Sequence, residues 1–160
     1  MDGIERILLK KRDVLTIRHA GARVQDLPKL IGEGFASLSA YVERNGGKLA
    51  EAPFVAFHGF SEDLRLDETD MTLEICFPLV APIAGSGTIQ ASELPGTEAI
   101  RLHYRGNYDA GMTAVYETML QKIQELGGEF LGVSYESYLT GPETPLDEQE
   151  TVITIPYRSQ

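Results

Sequence analysis

The stretch "VSYESYLTGPETP", residues 133–145, sets a carboxylate among aromatic hydroxyls. Read as a strand, it alternates so that Glu136 and Tyr138 share one face while Val133, Tyr135 and Leu139 share the other. A core rejects an unpaired charge, and a plain solvated face has little use for two tyrosines. Two chemistries suit a carboxylate lined by rings. It can balance a delocalised cation while ring faces supply contact area and cation–π attraction, about 0.5–2 kcal/mol per good pair. It can also activate water as a general base, with a tyrosine orienting that water or stabilising a leaving group. Against both stands a structural carboxylate, held by backbone N–H groups or by an arginine such as Arg101 or Arg105.

Other reactive side chains point to little. His19, His58 and His103 stand alone, without metal-ligand spacing, so no metal site and no cofactor are expected. Glu74 in "TLEICFP" reads as a solvated or hydrogen-bonded strand residue that could also line a groove. The single cysteine, Cys76, excludes an internal disulfide and reads as a small buried hydrophobe. The acidic run "SEDLRLDETD", residues 61–70, lacks the calcium-loop pattern and its central glycine, and reads as a solvated hairpin connection. With 14 Lys and Arg against 24 Asp and Glu, the formal charge is −10. Attraction to a phosphate backbone is therefore absent as a driving force, so nucleic acid is not expected as a partner, and cationic ligands are favoured.

The elements that must hold such a face come in two copies. "TIRHAG" (16–21) and "RLHYRG" (101–106) lie 85 positions apart, the pairs Gly46-Gly47 and Gly127-Gly128 lie 81 apart, and "ICFP" (75–78) and "ITIP" (153–156) lie 78 apart. Loop-length differences between two copies of one unit produce such a drift. Between the markers, Leu27, Leu30, Ile31, Phe35, Leu38 and Val42 form a helical stripe with Asp26 as N-cap, closed by Asn45-Gly46-Gly47. Met112, Val115, Tyr116, Met119, Leu120, Ile123 and Leu126 form a second, with Asp109 as cap and Gly127-Gly128 as stop. Strand-like runs fall at about 7–19, 53–60, 70–77, 97–105, 130–140 and 150–157. The expectation is a single domain over 1–160 built from pseudo-repeats of about 1–80 and 97–160. Its fold class is α+β, a tandem duplication of a strand–helix–strand–strand unit, with an antiparallel sheet carrying two helices on one face and a ligand groove on the other. Residues 80–99, including Gly85-Ser86-Gly87, read as the connection. At 160 residues and 42% hydrophobic content the chain can bury one good core. No apolar run approaches the roughly 20 residues of a membrane span, and the N-terminus lacks signal-peptide character, so a cytoplasmic protein without a membrane partner is expected.

The order and duplication of "RHAG", "YRG", "YESYLTGP", the acidic loop "ETPLDEQE" and the closing "ITIPY" resemble the gyrase-inhibitor-like small-molecule-binding domains, also found as effector-binding domains of AraC-type and MerR-type multidrug regulators. The resemblance implies two pseudo-symmetric halves with a groove, a glutamate at its base that falls on Glu136, and ligands that are lipophilic, often aromatic cations. It implies a stand-alone binding module, since the chain opens at the first strand without room for a DNA-binding segment. It also admits a hydrolase of electrophilic, cyclopropanoid-type natural products, in which Glu136 and Tyr138 would be catalytic, and an inhibitory contact with DNA gyrase as a protein partner. An 82-position alignment of "PFVAFHGF" with "YESYLTGP" adds Phe54 and His58 to Glu136 and Tyr138 as ligand-binding candidates. Tyr104, at the end of the strand before the second helix, is placed at the groove rim, with Tyr108 and Phe60 as further rim residues.

Overall fold

The computed structural model describes residues 3–60, 65–141 and 143–159, with residues 108–110 described in backbone alone. Its elements run β1 (Glu5–Leu9), β2 (Arg12–Ala22), α1 (Leu27–Arg44), β3 (Phe54–His58), β4 (Met71–Leu79), β5 (Gln90–Leu94), β6 (Thr97–Arg105), α2 (Tyr108–Glu125), β7 (Gly128–Phe130), β8 (Ser134–Tyr138) and β9 (Glu150–Ser159). The fold is α+β with antiparallel strand pairing. Two compact units divide the chain: Lys11–Pro95 forms the first, and Gly96–Gln160 with Met1–Lys10 forms the second.

In the first unit the strands lie in the order β5-β2-β4-β3; in the second, β1-β6-β9-β8, with β7 also on β9. These are the same sheet built twice. Ile75 of β4 stands between Ile17 of β2 and Val55 of β3, and Ile153 of β9 stands between Leu102 of β6 and Glu136 of β8. The 85- and 78-position spacings read from the sequence are therefore the register itself. The outer strands obey the same rule, because Gln90 pairs with Thr16 as Glu5 pairs with Arg101. Even the short β7 has its counterpart, since Phe130 faces Tyr157 where Leu49 bridges to Leu79 in the first unit.

One stretch departs from expectation. Residues 80–99 were expected as a connection, yet they hold β5, the counterpart of β1. Four of its five residues are exposed and it lies at a sheet edge, so it carries no apolar alternation for a pattern to detect. The run at 7–19 likewise divides into β1 and β2, and each of these strands pairs within a different unit.

The helices repeat at 81 positions. Each has 18 residues, and each ends where a glycine adopts a left-handed φ, 67° at Gly46 and 70° at Gly127, which a side chain would disfavour. The closing bonds repeat too, from the Gly46 and Gly127 amides to the carbonyls of Glu43 and Gln124. Asp26 flanks α1, but its side chain makes no capping bond; Pro28 in the first turn does the ordering. Asp109 falls inside α2 rather than ahead of it, and its side chain lies outside the described residues. α1 covers Ile75, which meets the helix so closely at Gly34 that an added Cβ would stand 2.9 Å from it, and Phe35 packs on Phe77 with ring centroids 5.7 Å apart. α2 buries Met112, Val115, Met119, Leu120 and Ile123 against its own sheet, whose Ile153, Ile155 and Tyr157 are fully buried. At about 1.5–3 kcal/mol per buried large side chain, these stripes dominate the stability of each unit.

Candidate functional site

Strand alternation on β8 sets Ser134, Glu136 and Tyr138 on one face. That face looks toward α2, because the Tyr116 hydroxyl, projecting from the helix, donates to Oε2 of Glu136 and lies 2.7 Å from Oγ of Ser134. The Tyr138 hydroxyl donates to the other carboxylate oxygen, Oε1, at 2.8 Å. Glu136 is only 1% exposed, and on the β9 side its cross-strand row runs through Ile153 and Leu102. A carboxylate in such a row costs several kcal/mol to desolvate unless hydrogen-bonded. Here each oxygen accepts a phenolic O–H, a charge-assisted bond stronger than a neutral one. Glu136 thus lies beneath the helix, on the face opposite to the open one that the groove reading gave it.

The repeat supplies a control within the molecule. By the shared register, Val55 and Phe57 stand in the first unit where Glu136 and Tyr138 stand in the second, Pro53 stands for Ser134, and Phe35 of α1 stands for Tyr116. The same sheet and helix close over an entirely apolar set in one copy and over a hydroxyl–carboxylate set in the other. The fold does not require the polar set.

The remaining candidates are placed as follows. Tyr104 shares a row with Thr151 and Tyr138, so it faces α2 two strands away, about 10 Å in strand spacing. Its hydroxyl donates to the Asn107 carbonyl at 3.1 Å, within the β6–α2 turn. Phe54 and His58 belong to the first unit. The 82-position alignment that selected them slips by one residue against the true 81, so they lie on the opposite strand face from Val55 and Phe57, the counterparts of Glu136 and Tyr138. Phe54 is buried with the Arg12 guanidinium 5.1 Å over its ring, and Arg12 pairs with Glu51 at 2.5 Å. His58 Nε2 lies 2.8 Å from Oε1 of Glu74, which also receives Arg18 at 3.1 Å. The hydrogen bond to His58 above all, with the charges of His58 and Arg18 and the Thr16 hydroxyl behind it, holds the Glu74 carboxyl below its ordinary range although partial burial opposes this. Burial, followed by the nearby Glu74 charge, pushes the Cys76 thiol far above its usual range, so it is an inert core residue. The Tyr108 side chain lies outside the described residues, and Phe60 is half-buried. Among the described residues no helix is long and apolar enough to cross a membrane.

Sequence reasoning missed Tyr116 as a site residue. It counted the side chain into the apolar stripe of α2, where it does belong by spacing; the available signal was a tyrosine standing where the first repeat has Phe35.

The sheet is thus built twice with a helix laid on each copy, and the second copy encloses a buried carboxylate at Glu136. The chain belongs to the GyrI-like small-molecule-binding domain family, whose model matches residues 4–158. Among solved structures it is similar to the EcmrR C-terminal domain at 18% identity and TM-score 0.79, covering 98% of both chains. It is also similar to EcmrR in its complex with DNA at 19% identity and TM-score 0.77; there it covers 98% of itself but spans only 57% of that protein. A hydrolase encoded by lin2189 from Listeria innocua matches at 14% identity and TM-score 0.67 over 97% and 91% of the two chains. SAV2435 bound to tetraphenylphosphonium matches at 12% identity and TM-score 0.63 over 97% and 93%. No curated protein sequence matches the chain.

Proposed function

We propose that the domain binds lipophilic cations or planar aromatic molecules at Glu136, with the rings of Tyr116 and Tyr138 as the contact surface. The observation that carries this is the carboxylate buried under two phenol hydroxyls at positions that are apolar in the other repeat. An incoming cation takes over the role of the two donors, neutralising the carboxylate while ring faces supply dispersion and cation–π attraction. The tetraphenylphosphonium bound by SAV2435 is a molecule of this class and makes a suitable probe. Calorimetric titration with tetraphenylphosphonium should show binding that Glu136→Gln weakens by about 1–3 kcal/mol, the scale of losing a hydrogen bond or contact to a charged group. A neutral planar ligand should lose less. Equal affinity of both proteins for the cation would sink the assignment.

A second reading has one observation in its favour: Glu136 and two tyrosine hydroxyls are within hydrogen-bond reach, the pair of groups that water activation needs, and a similar fold is described as a hydrolase. Both carboxylate oxygens already accept a phenolic hydroxyl, however, so a water to be activated would have to displace Tyr116 or Tyr138 before it could reach Glu136. Mass analysis of an electrophilic, strained-ring ligand after incubation separates the readings, since binding leaves its mass unchanged and hydrolysis adds one water.

A further inference from the structure

The binding reading leaves Ser134 unexplained: a hydroxyl with no exposure, 2.7 Å from Tyr116, standing where the first repeat has Pro53. Proton counting gives it a role. Tyr116 carries one O–H, and an ionised carboxylate can only accept. When Glu136 is charged, the Tyr116 proton must point to it, so the proton between Ser134 and Tyr116 must belong to Ser134. When Glu136 is protonated, its own proton can be donated to the Tyr116 oxygen, and Tyr116 is then free to turn its proton to Ser134. The two charge states therefore require opposite directions along the Ser134–Tyr116–Glu136 chain, and hydrogen bonds in such a chain polarise one another.

We propose that Ser134 is a positioning residue which, by donating to the Tyr116 oxygen, keeps the Tyr116 proton aimed at Glu136 and holds that carboxylate in its charged, cation-accepting state. This deepens the binding reading, on which its functional meaning rests. Tyr116 from α2 and Tyr138 from β8 both donate to Glu136; on the same side of β6 and β9 stand Tyr104, whose hydroxyl is on the Asn107 carbonyl, and Tyr157. Among the described strand residues of this unit, the charged groups on that side are Glu98 of β6, bonded to Ser159, and Arg6 on the outermost strand β1. α2 adds exposed Glu117 and Glu125 and half-buried Lys122.

The test measures the pH at which Glu136 ionises, from its carboxylate infrared band identified by difference against Glu136→Gln, in the ligand-free protein. Ser134→Ala should raise that pH by about half a unit or more, the scale of one neutral hydrogen bond. Ser134→Thr, which keeps the hydroxyl, should restore it, and Ser134→Gly should behave as alanine does. In a Tyr116→Phe background Ser134→Ala should have no further effect. Binding of tetraphenylphosphonium, whose charge does not titrate, should follow the same midpoint, falling about twofold or more at the natural protein's midpoint, about threefold or more well below it, and recovering at higher pH. No shift in Ser134→Ala, or the same shift with Tyr116 already replaced, overturns the proposal. A shifted infrared midpoint with no tetraphenylphosphonium binding by any form keeps the chain but refutes the binding reading beneath it.

Discussion

A buried carboxylate is an expensive residue, and Glu136 shows how it is tolerated: two hydroxyls, from Tyr116 and Tyr138, each satisfy one oxygen. Glutamine keeps the shape and removes the charge. Its carbonyl accepts one hydroxyl and its amide donates to the other, which rotates to receive it, while the desolvation cost of the charge disappears. We therefore predict that Glu136→Gln leaves the melting temperature unchanged or raises it, although it weakens cation binding. A marked fall, read by thermal unfolding followed by circular dichroism, would make Glu136 a structural carboxylate. At this scale the sequence was informative about one strand and silent across elements. Alternation put Glu136 and Tyr138 together because both lie on β8. Nothing in a helical stripe says which strand residue it will meet twenty positions on, so Tyr116 needed the structure, whereas Ser134, on the same face of β8 by the same alternation, went unread because a lone serine carries no charge or ring to mark it.

Elements position these residues by close approach. Tyr104 lies against the first turns of α2 so tightly that a Cβ on Gly111 would stand 1.9 Å from its hydroxyl and 2.8 Å from the ring carbon bearing it. Gly111→Ala should then destabilise the protein by about 1–3 kcal/mol, despite alanine's better helix propensity, because the ring must move. In a Tyr104→Ala background the same change should become neutral or favourable; urea unfolding of the four proteins decides it. In the first unit, β2, β3 and β4 bring Arg18, His58 and Glu74 together. The folded Glu74 carboxyl titrates below its ordinary value of 4.5, so its stabilising contribution is present above that pH and is lost as pH falls through the lower, folded value. The stability difference between the natural protein and Glu74→Gln, from urea midpoints, should therefore shrink on acidification below about 4.5. A difference that stays constant or grows there would contradict the pairing. Element order was legible because stripes and glycine stops are strong signals. β5 was not, since an exposed edge strand has no face to bury, and the 82-position alignment erred by the single residue that moves a strand's side chains to its other face.

For the whole molecule, duplication is both the architecture and the control. It was legible in the paired markers at 85, 81 and 78 positions, which the strand registers and helix closures reproduce. The sequence could not say that the repeats are chemically unequal, because that depends on which residues occupy equivalent places. With equivalences fixed, one repeat is a closed apolar core and the other encloses a carboxylate at matching positions. The most direct test gives the second the apolar character of the first, with Tyr116→Phe, Ser134→Ala, Glu136→Val and Tyr138→Phe made together so that no buried hydroxyl is left without a partner, followed by thermal unfolding and titration with tetraphenylphosphonium in parallel. The account predicts a protein that unfolds at the same temperature or higher and no longer binds the cation that the natural protein binds. A quadruple variant that fails to fold, or that binds the cation as well as the natural protein does, would contradict it.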